Sequence, residues 1–399
     1  MQRRLLLFGL ATHLFIAAPA YSQGLHGAFE AAWNRQPASK ATSYREDELA
    51  AKRNAASALI PEPPSLNLGY RTDQPNQNTG IRELEGVLSL PLWIPAARDA
   101  AQTLAQAETD QFGSGLRAQR WRLAGEVRET YWQARLTATE LDVAQRKVDE
   151  SVALAVDVER RVKAGDLARS DLNQARAAEQ LARATLADAR GRSYRAAQTF
   201  FALTGLKVLP VVVEAPAPGP REIDAHPQLD ANERAAMTAR AKLGQATAAT
   251  RDAPEIEIGM RRERGAFGEP YANSVIVGIK LPFATEARNQ PRITAANAEL
   301  IEAQAASQLE RQKLAAEIDA AQVESEQAHA IEQLAAERFR LAADTQALLA
   351  KAFALGELDL PARLRAENER FDAELALTRS RIEVSRAISR YNQAVGVLP

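Results

Sequence analysis

One stretch of this chain is written twice. Pro64-Ser65-Leu66-Asn67-Leu68-Gly69-Tyr70-Arg71 returns as Pro254-Glu255-Ile256-Glu257-Ile258-Gly259-Met260-Arg261, at an offset of 190 residues. Leu90-Pro91-Leu92 returns as Leu281-Pro282-Phe283 at offset 191, and Ala97-Arg98 as Ala287-Arg288. Lys163-Ala164-Gly165-Asp166-Leu167 returns as Ala354-Leu355-Gly356-Glu357-Leu358, and Thr204-Gly205-Leu206 as Val395-Gly396-Val397. Pro37 and Lys52 have counterparts in Pro227 and Lys242. Blocks that hold one offset within a residue mark an internal duplication, so the chain must fold as two like units. We divide it into residues 23–206 and 221–399, joined by 207–220. That connector carries Pro210, Pro216, Pro218 and Pro220 and reads as stiff and extended.

Each half follows one order: a helical lead-in, a strand, a polar loop, a second strand, a very long helix, a glycine turn and a return helix. The strands are expected at 65–72 and 82–91, then at 255–264 and 273–282. Leu84, Gly86, Leu88 and Leu90 alternate with Glu83, Glu85, Val87 and Ser89; Val275, Val277, Ile279 and Leu281 alternate with Ser274, Ile276, Gly278 and Lys280. Period-2 alternation means a sheet with one apolar face and one more polar face. Strands of this length cross a bilayer when tilted. The loops Thr72–Ile81 and Gly265–Ala272 are rich in Asn, Gln, Gly and Pro and read as solvent-exposed turns.

The helices are longer than those of ordinary globular domains. Ala96 to Val162 contains no proline and spans on the order of 100 Å as helix. The matching arm is expected to start near Arg292, after Pro291, and to run to about Leu355. The return arms cover about Ser170–Leu203 and Pro361–Ala394. Ala175, Ala178, Ala182, Leu186 and Ala189 form one small-residue seam, and Phe371, Leu375, Thr378 and Ile382 the other. Gly165 and Gly356 each sit where a long helix must reverse, so each supplies a left-handed cap. A plain hairpin turn and a docking tip are both compatible with those glycines.

Several function classes are excluded. The chain has no cysteine and four histidines, which leaves out disulfides, thiolate metal sites and a cysteine nucleophile. Fifty basic residues against 51 acidic give a net charge of -1, which argues against a nucleic-acid binder. Acidic residues are spread along the helices, and Asp166, Glu357 and Asp359 near the turns read as caps. We therefore expect no enzyme, no cofactor and no resident metal. His26 and His226 have Glu30 and Asp224 nearby but no second histidine, and read as surface residues. Arg3 and Arg4, the apolar Leu5–Ala18 and the small residues Ala18, Ala20 and Ser22 make residues 1–22 a secretory signal. Cleavage is expected after Ala20 or Ser22. No later segment supplies 18 consecutive apolar residues, so membrane crossing falls to strands.

The signal, the duplicated strand–strand–long helix–Gly–helix unit and the proline-rich connector together resemble the TolC-type outer-membrane efflux family. The residues carrying the likeness are Pro64 to Arg71, Pro254 to Arg261, the Leu90 and Leu281 blocks, and the turns at Gly165 and Gly356. The likeness spans essentially the whole mature chain, and its short length is similar to the heavy-metal-cation branch. It implies a homotrimer in which each protomer gives four strands to a shared outer-membrane barrel and its long helices to a periplasmic tunnel. It also implies that the tips (Gly165, Asp166, Leu167, Gly356, Glu357 and Leu358) meet a periplasmic adaptor linked to an inner-membrane pump. The chain would then be a passive exit duct; the rival reading is a periplasmic coiled-coil adaptor or scaffold, which has no use for lipid-facing hairpins.

The resemblance assigns gate and junction residues too. Some relatives carry aspartates six and nine residues after the second tip glycine, where this chain has Ala362 and Arg365. Asp171 matches an acidic gate position, but its usual Arg and Tyr partners fall at Leu358 and Phe353. Arg365 either rings the lumen or pairs with Glu369 along the helix. Trp93 and Phe283, just past Pro91 and Pro282, either form an aromatic belt at the membrane interface or pack the strand–helix corner.

Overall fold

A computed structural model describes residues 24–211, 214–218 and 222–399. The expected signal segment, residues 1–22, lies outside the described residues, as do Pro220 and part of the connector.

The chain opens with α1 (Leu25–Trp33) and α2 (Pro37–Ser57). A hairpin follows, β1 (Ser65–Thr72) and β2 (Arg82–Pro91), then the 70-residue α3 (Pro95–Ala164) and α4 (Arg169–Thr204). The same order returns as α5 (Pro227–Ala248), β3 (Glu255–Arg264), β4 (Ala272–Lys280), the 69-residue α6 (Glu286–Ala354) and α7 (Leu360–Ala394). At about 1.5 Å per residue, α3 and α6 each extend roughly 105 Å.

The first three strands match the sequence-based boundaries. β4 ends at Lys280 rather than 282, because Pro282 has no N–H to continue a ladder. α6 begins at Glu286 rather than Arg292, with Pro291 inside it. The turn ahead of that proline is fastened independently: Arg288 and Asn289 N–H donate to Thr285 O at 3.2 and 3.1 Å, and Arg288 pairs with Asp252 at 2.5 Å. A proline this close to a helix start removes only one ladder bond.

All four strands pair antiparallel in the order β1-β2-β3-β4, leaving one open edge on β1 and another on β4. α3 packs on α4, and α6 on α7, as antiparallel pairs; α7 also lies against α3. The first seam is buried as expected at Ala175, Ala182, Leu186 and Ala189. The second is rotated. Leu375, Thr378 and Ile382 are only half-buried, while Ala373, Leu377, Ser380 and Ala387 join Phe371 inside. α7 touches two long helices, so it buries a wider arc than a single stripe supplies.

The largest apolar core lies near the middle of α3, where Phe29, Trp33, Val127, Tyr131, Trp132 and Phe200 meet. The connector is strapped across this region. Tyr131 Oη donates to Pro210 O at 2.9 Å, and Asn392 bonds Ala215 O and Ala217 N–H at 2.9 and 2.7 Å. Arg128, 3% exposed, donates to the Glu214 carboxylate, to Gln393 Oε1 at 2.6 Å and to Val397 O at 2.9 Å. Ser389 donates to the same carboxylate. The connector is thus a strap over the core.

His226 is buried, not superficial. Its Nδ1 accepts the Gln228 N–H at 3.2 Å and caps α5, and its ring meets Trp121 edge-on at 4.7 Å. Burial pushes its pKa down to about 4.

Candidate functional site

The two helix reversals have the same local chemistry. Gly165 (φ 87°) and Gly356 (φ 78°) are left-handed. Asp166 N–H donates to Arg161 O and Glu357 N–H to Ala352 O, both at 2.9 Å, closing each long helix. A Cβ on either glycine would meet no atom within 4 Å, so only the backbone angle demands glycine there. The return helices start with carboxylate caps. Asp171 accepts the Ala168 N–H at 3.1 Å, and Asp359 the Ala362 N–H at 3.0 Å. Gly165, Asp166, Gly356 and Glu357 are exposed, whereas Leu167 and Leu358 turn inward.

They turn onto Phe353, 1% exposed, which sequence reasoning had noted only as a replaced tyrosine. It shares a buried cluster with Leu154, Ala155, Val158, Ala175 and Leu360, residues of α3, α4 and α7, so that with Phe353 of α6 all four long helices contribute. Arg161 and Arg363 stand 5.1 and 4.9 Å from its ring centroid, and Arg161 also donates to Phe353 O at 3.2 Å. An aromatic three residues before a tip glycine, with an arginine four before the other, was the available signal. Glu367 lies nearby; burial raises its pKa, although Arg363 pairs with it at 3.2 Å.

The candidate gate residues Asp171 and Arg365 are not brought together within the chain. Asp171 is engaged as a cap, and Phe353 and Leu358 form apolar core where a polar tether would need partners. Arg365 is exposed, and its alternative partner Glu369 is not paired with it. Arg338 of α6 reaches Glu369 instead, with two N–H bonds at 2.7 and 3.2 Å. A fork of two donors on one carboxylate outcompetes a single same-helix contact.

At the sheet, register decides the faces. Leu66, Leu68 and Tyr70 stand beside Leu88, Gly86 and Leu84. These meet Ile258, Met260 and Arg262, and Ile258 and Met260 meet Val277 and Val275. The apolar members of this face are exposed, Leu68 at 74% and Val277 at 75%. The opposite face is charged: Arg261 bonds Glu85 at 2.7 Å and Glu83 at 3.0 Å, and Lys280 bonds Glu255 at 2.8 Å. The strand-connecting loops also hold each other, through Phe267 N–H to Thr79 O and Arg264 Nε to Gly80 O, both 3.0 Å.

The junction aromatics part company. Trp93 Nε1 donates to Ala58 O at 2.9 Å and closes the strand–helix corner after the buried Pro91. Phe283, after Pro282, is 86% exposed. Among the described residues no helix is long and apolar enough to cross a membrane, and no three His, Cys, Asp or Glu side chains gather to hold a metal ion.

Solved structures share this architecture. The outer-membrane channel CmeC of Campylobacter jejuni superposes with a TM-score of 0.76 at 15% identity, over 93% of this chain and 85% of that one. CusC gives 0.75 at 17%, over 94% and 92%. The fold is that of a TolC-type outer-membrane channel. The outer-membrane protein VceC of Vibrio cholerae gives 0.73 at 15%, over 94% and 96%. No family model matches the chain. Protein CyaE of Bordetella pertussis is 26% identical over 274 residues, 61% of this chain and 57% of that protein's length. In a TolC-type frame the helix reversals are the end farthest from the sheet.

Proposed function

We propose that this chain is the outer-membrane component of a tripartite efflux system, a passive exit duct for substrates driven by an inner-membrane pump. One observation carries the reading. A four-stranded sheet carries an exposed apolar face on one side and a charged face on the other, and leaves both edges unpaired. An open edge cannot persist in hydrocarbon, where each unpaired N–H and C=O costs several kcal/mol. Pairing β4 of one copy with β1 of the next removes every edge, and three copies close a twelve-stranded barrel around the charged face. Phe283 would mark the periplasmic interface. The long helices continue the wall into the periplasm, and their tips dock an adaptor.

The internal duplication supports the same reading. Lys52 pairs with Glu108 at 3.2 Å, and its counterpart Lys242 pairs with Glu299 at 2.9 Å. Such matched contacts are consistent with two like halves forming one wall. Cell fractionation tests the proposal. The mature chain should sediment with the outer membrane and run as a heat-dissociable trimer. Recovery as a soluble periplasmic monomer would overturn it and favour the scaffold reading.

A further inference from the structure

The apolar face of the sheet ends in arginines that no carboxylate neutralises. On β3 the outward positions run Ile256, Ile258, Met260, then Arg262 and Arg264; on β4 they run Ile279, Val277, Val275, Asn273, and then Tyr271 beyond the strand. Both guanidinium groups stand over the Tyr271 ring, Arg262 at 4.5 Å and Arg264 at 5.1 Å from its centroid. Arg264 is also 5.5 Å from the Phe267 centroid and donates Nε to Gly80 O at 3.0 Å. These contacts hold the side chains in place and leave their charge uncancelled.

The nearby carboxylates are engaged elsewhere. Asp73 holds Arg82 at 3.2 Å and accepts from Thr79. Glu269 accepts the Gly265 and Ala266 N–H groups at 3.1 Å. Glu263 has the opposite strand parity and belongs to the inner face. Among the described residues neither Arg262 nor Arg264 forms an ion pair. Two cations on one ring repel each other, and an anion bridging them removes that repulsion while gaining charge-assisted bonds.

Position identifies the anion. From Tyr271 to Phe283 the chain advances about 40 Å at the usual strand rise, or about 30 Å along the membrane normal at the usual barrel tilt. With Phe283 at the periplasmic interface, the arginines lie at the headgroup level of the outer leaflet. Directly below them Met260, Val275 and Ile258 offer an apolar surface to acyl chains. We infer that Arg262, Arg264 and Tyr271 form a binding site for the phosphate of an outer-leaflet lipid, its tails lying on that apolar column. This rests on the sheet being a barrel wall.

Native mass spectrometry of the purified full-length protein in detergent provides the test, with lipid A as the phosphorylated probe and phosphatidylcholine as the neutral one. Wild type should retain lipid A in preference to phosphatidylcholine. The double variant Arg262→Gln, Arg264→Gln should weaken lipid A retention by about tenfold or more, the equivalent of one lost charge-assisted contact. The Lys, Lys double variant should keep part of the preference. The double variant Arg71→Gln, Lys280→Gln removes the same two charges from the opposite, charged face and should change nothing. Equal losses in the Arg71, Lys280 and Arg262, Arg264 double variants would overturn the site in favour of diffuse charge. Displacement of lipid A by inorganic phosphate would overturn the lipid assignment. Insertion of wild type into phosphatidylcholine vesicles, scored separately by protease protection, reports on the barrel whether or not lipid A is selected.

Discussion

Phe353→Ala isolates the packing that holds the two helical hairpins together at their far end. Phe353 is 1% exposed and shares one buried cluster with Leu154, Ala155, Val158, Ala175 and Leu360, so its truncation opens a cavity in a cluster drawn from four helices. Truncating a buried phenylalanine costs about 3–5 kcal/mol. The loss falls on local opening of the tips, because the main apolar core sits elsewhere along α3. Each 1.4 kcal/mol is about a factor of ten in an opening equilibrium. Amide hydrogen exchange over residues 154–167 and 350–364 should therefore speed up by roughly two to three orders of magnitude. Exchange around Val127 and Tyr131 should stay as it is. Phe353→Leu, which keeps most of the volume, should lose about 1.5 kcal/mol or less. If exchange at both tips in Phe353→Ala stays within about twofold of wild type, the tips are held by their caps and ion pairs, and the packing account is wrong.

Val277→Arg should lower barrel stability by about 2–4 kcal/mol in vesicle unfolding, whereas Ile276→Arg, on the charged face, should cost far less; equal costs would refute the face assignment. The double change Gly165→Val, Gly356→Val forces left-handed angles on β-branched residues, at about 1–2 kcal/mol each; export should fail while trimer yield on gels is unchanged. Gly80→Ala places a Cβ 2.3 Å from Phe267 N at a φ of 104°, so the paired loops should separate and become cleavable by protease added to whole cells. His226 gives a pH signature. Its folded pKa, about 4, lies below its ordinary value of 6.5, so the unfolded chain takes up the proton first. The stability supplied by neutral His226 is complete above about pH 6.5 and drains away as pH falls toward 4, by at most about 3 kcal/mol. Thermal melts across that window should show the loss in wild type and a flatter profile in His226→Asn, which keeps a cap acceptor.

The elements that repeat at short range were legible in the sequence. Strand boundaries followed from alternation, and both tips from a glycine at the end of a proline-free run. What escaped depends on partners far along the chain. The second seam could not be phased from α7 alone, because α7 answers to both α6 and α3. Pro291 looked like a helix boundary because nothing local announces the Asp252–Arg288 pair that secures the preceding turn. Spacing offered Glu369 to Arg365 as one of two alternatives, but Arg338, 31 positions away, takes it with a two-toothed contact. Trp93 and Phe283 lie one residue apart in the repeat register and differ in environment, since the Trp93 indole N–H reaches the Ala58 carbonyl and Phe283 stays exposed. Sequence symmetry predicts equal backbones; it does not predict equal neighbours.

The strap over the core has a consequence in time. Under the proposed function the chain is threaded through a membrane N-terminus first, so Arg128 arrives before Glu214, and both precede Ser389, Gln393 and Val397. Until those partners come, the guanidinium that ends 3% exposed has to stay hydrated, and the middle of α3 cannot close around it. The halves are therefore barred from maturing one after the other, despite their common design. A chain stalled before residue 389 would keep the Glu214 partner of Arg128 and lack its Gln393 and Val397 partners.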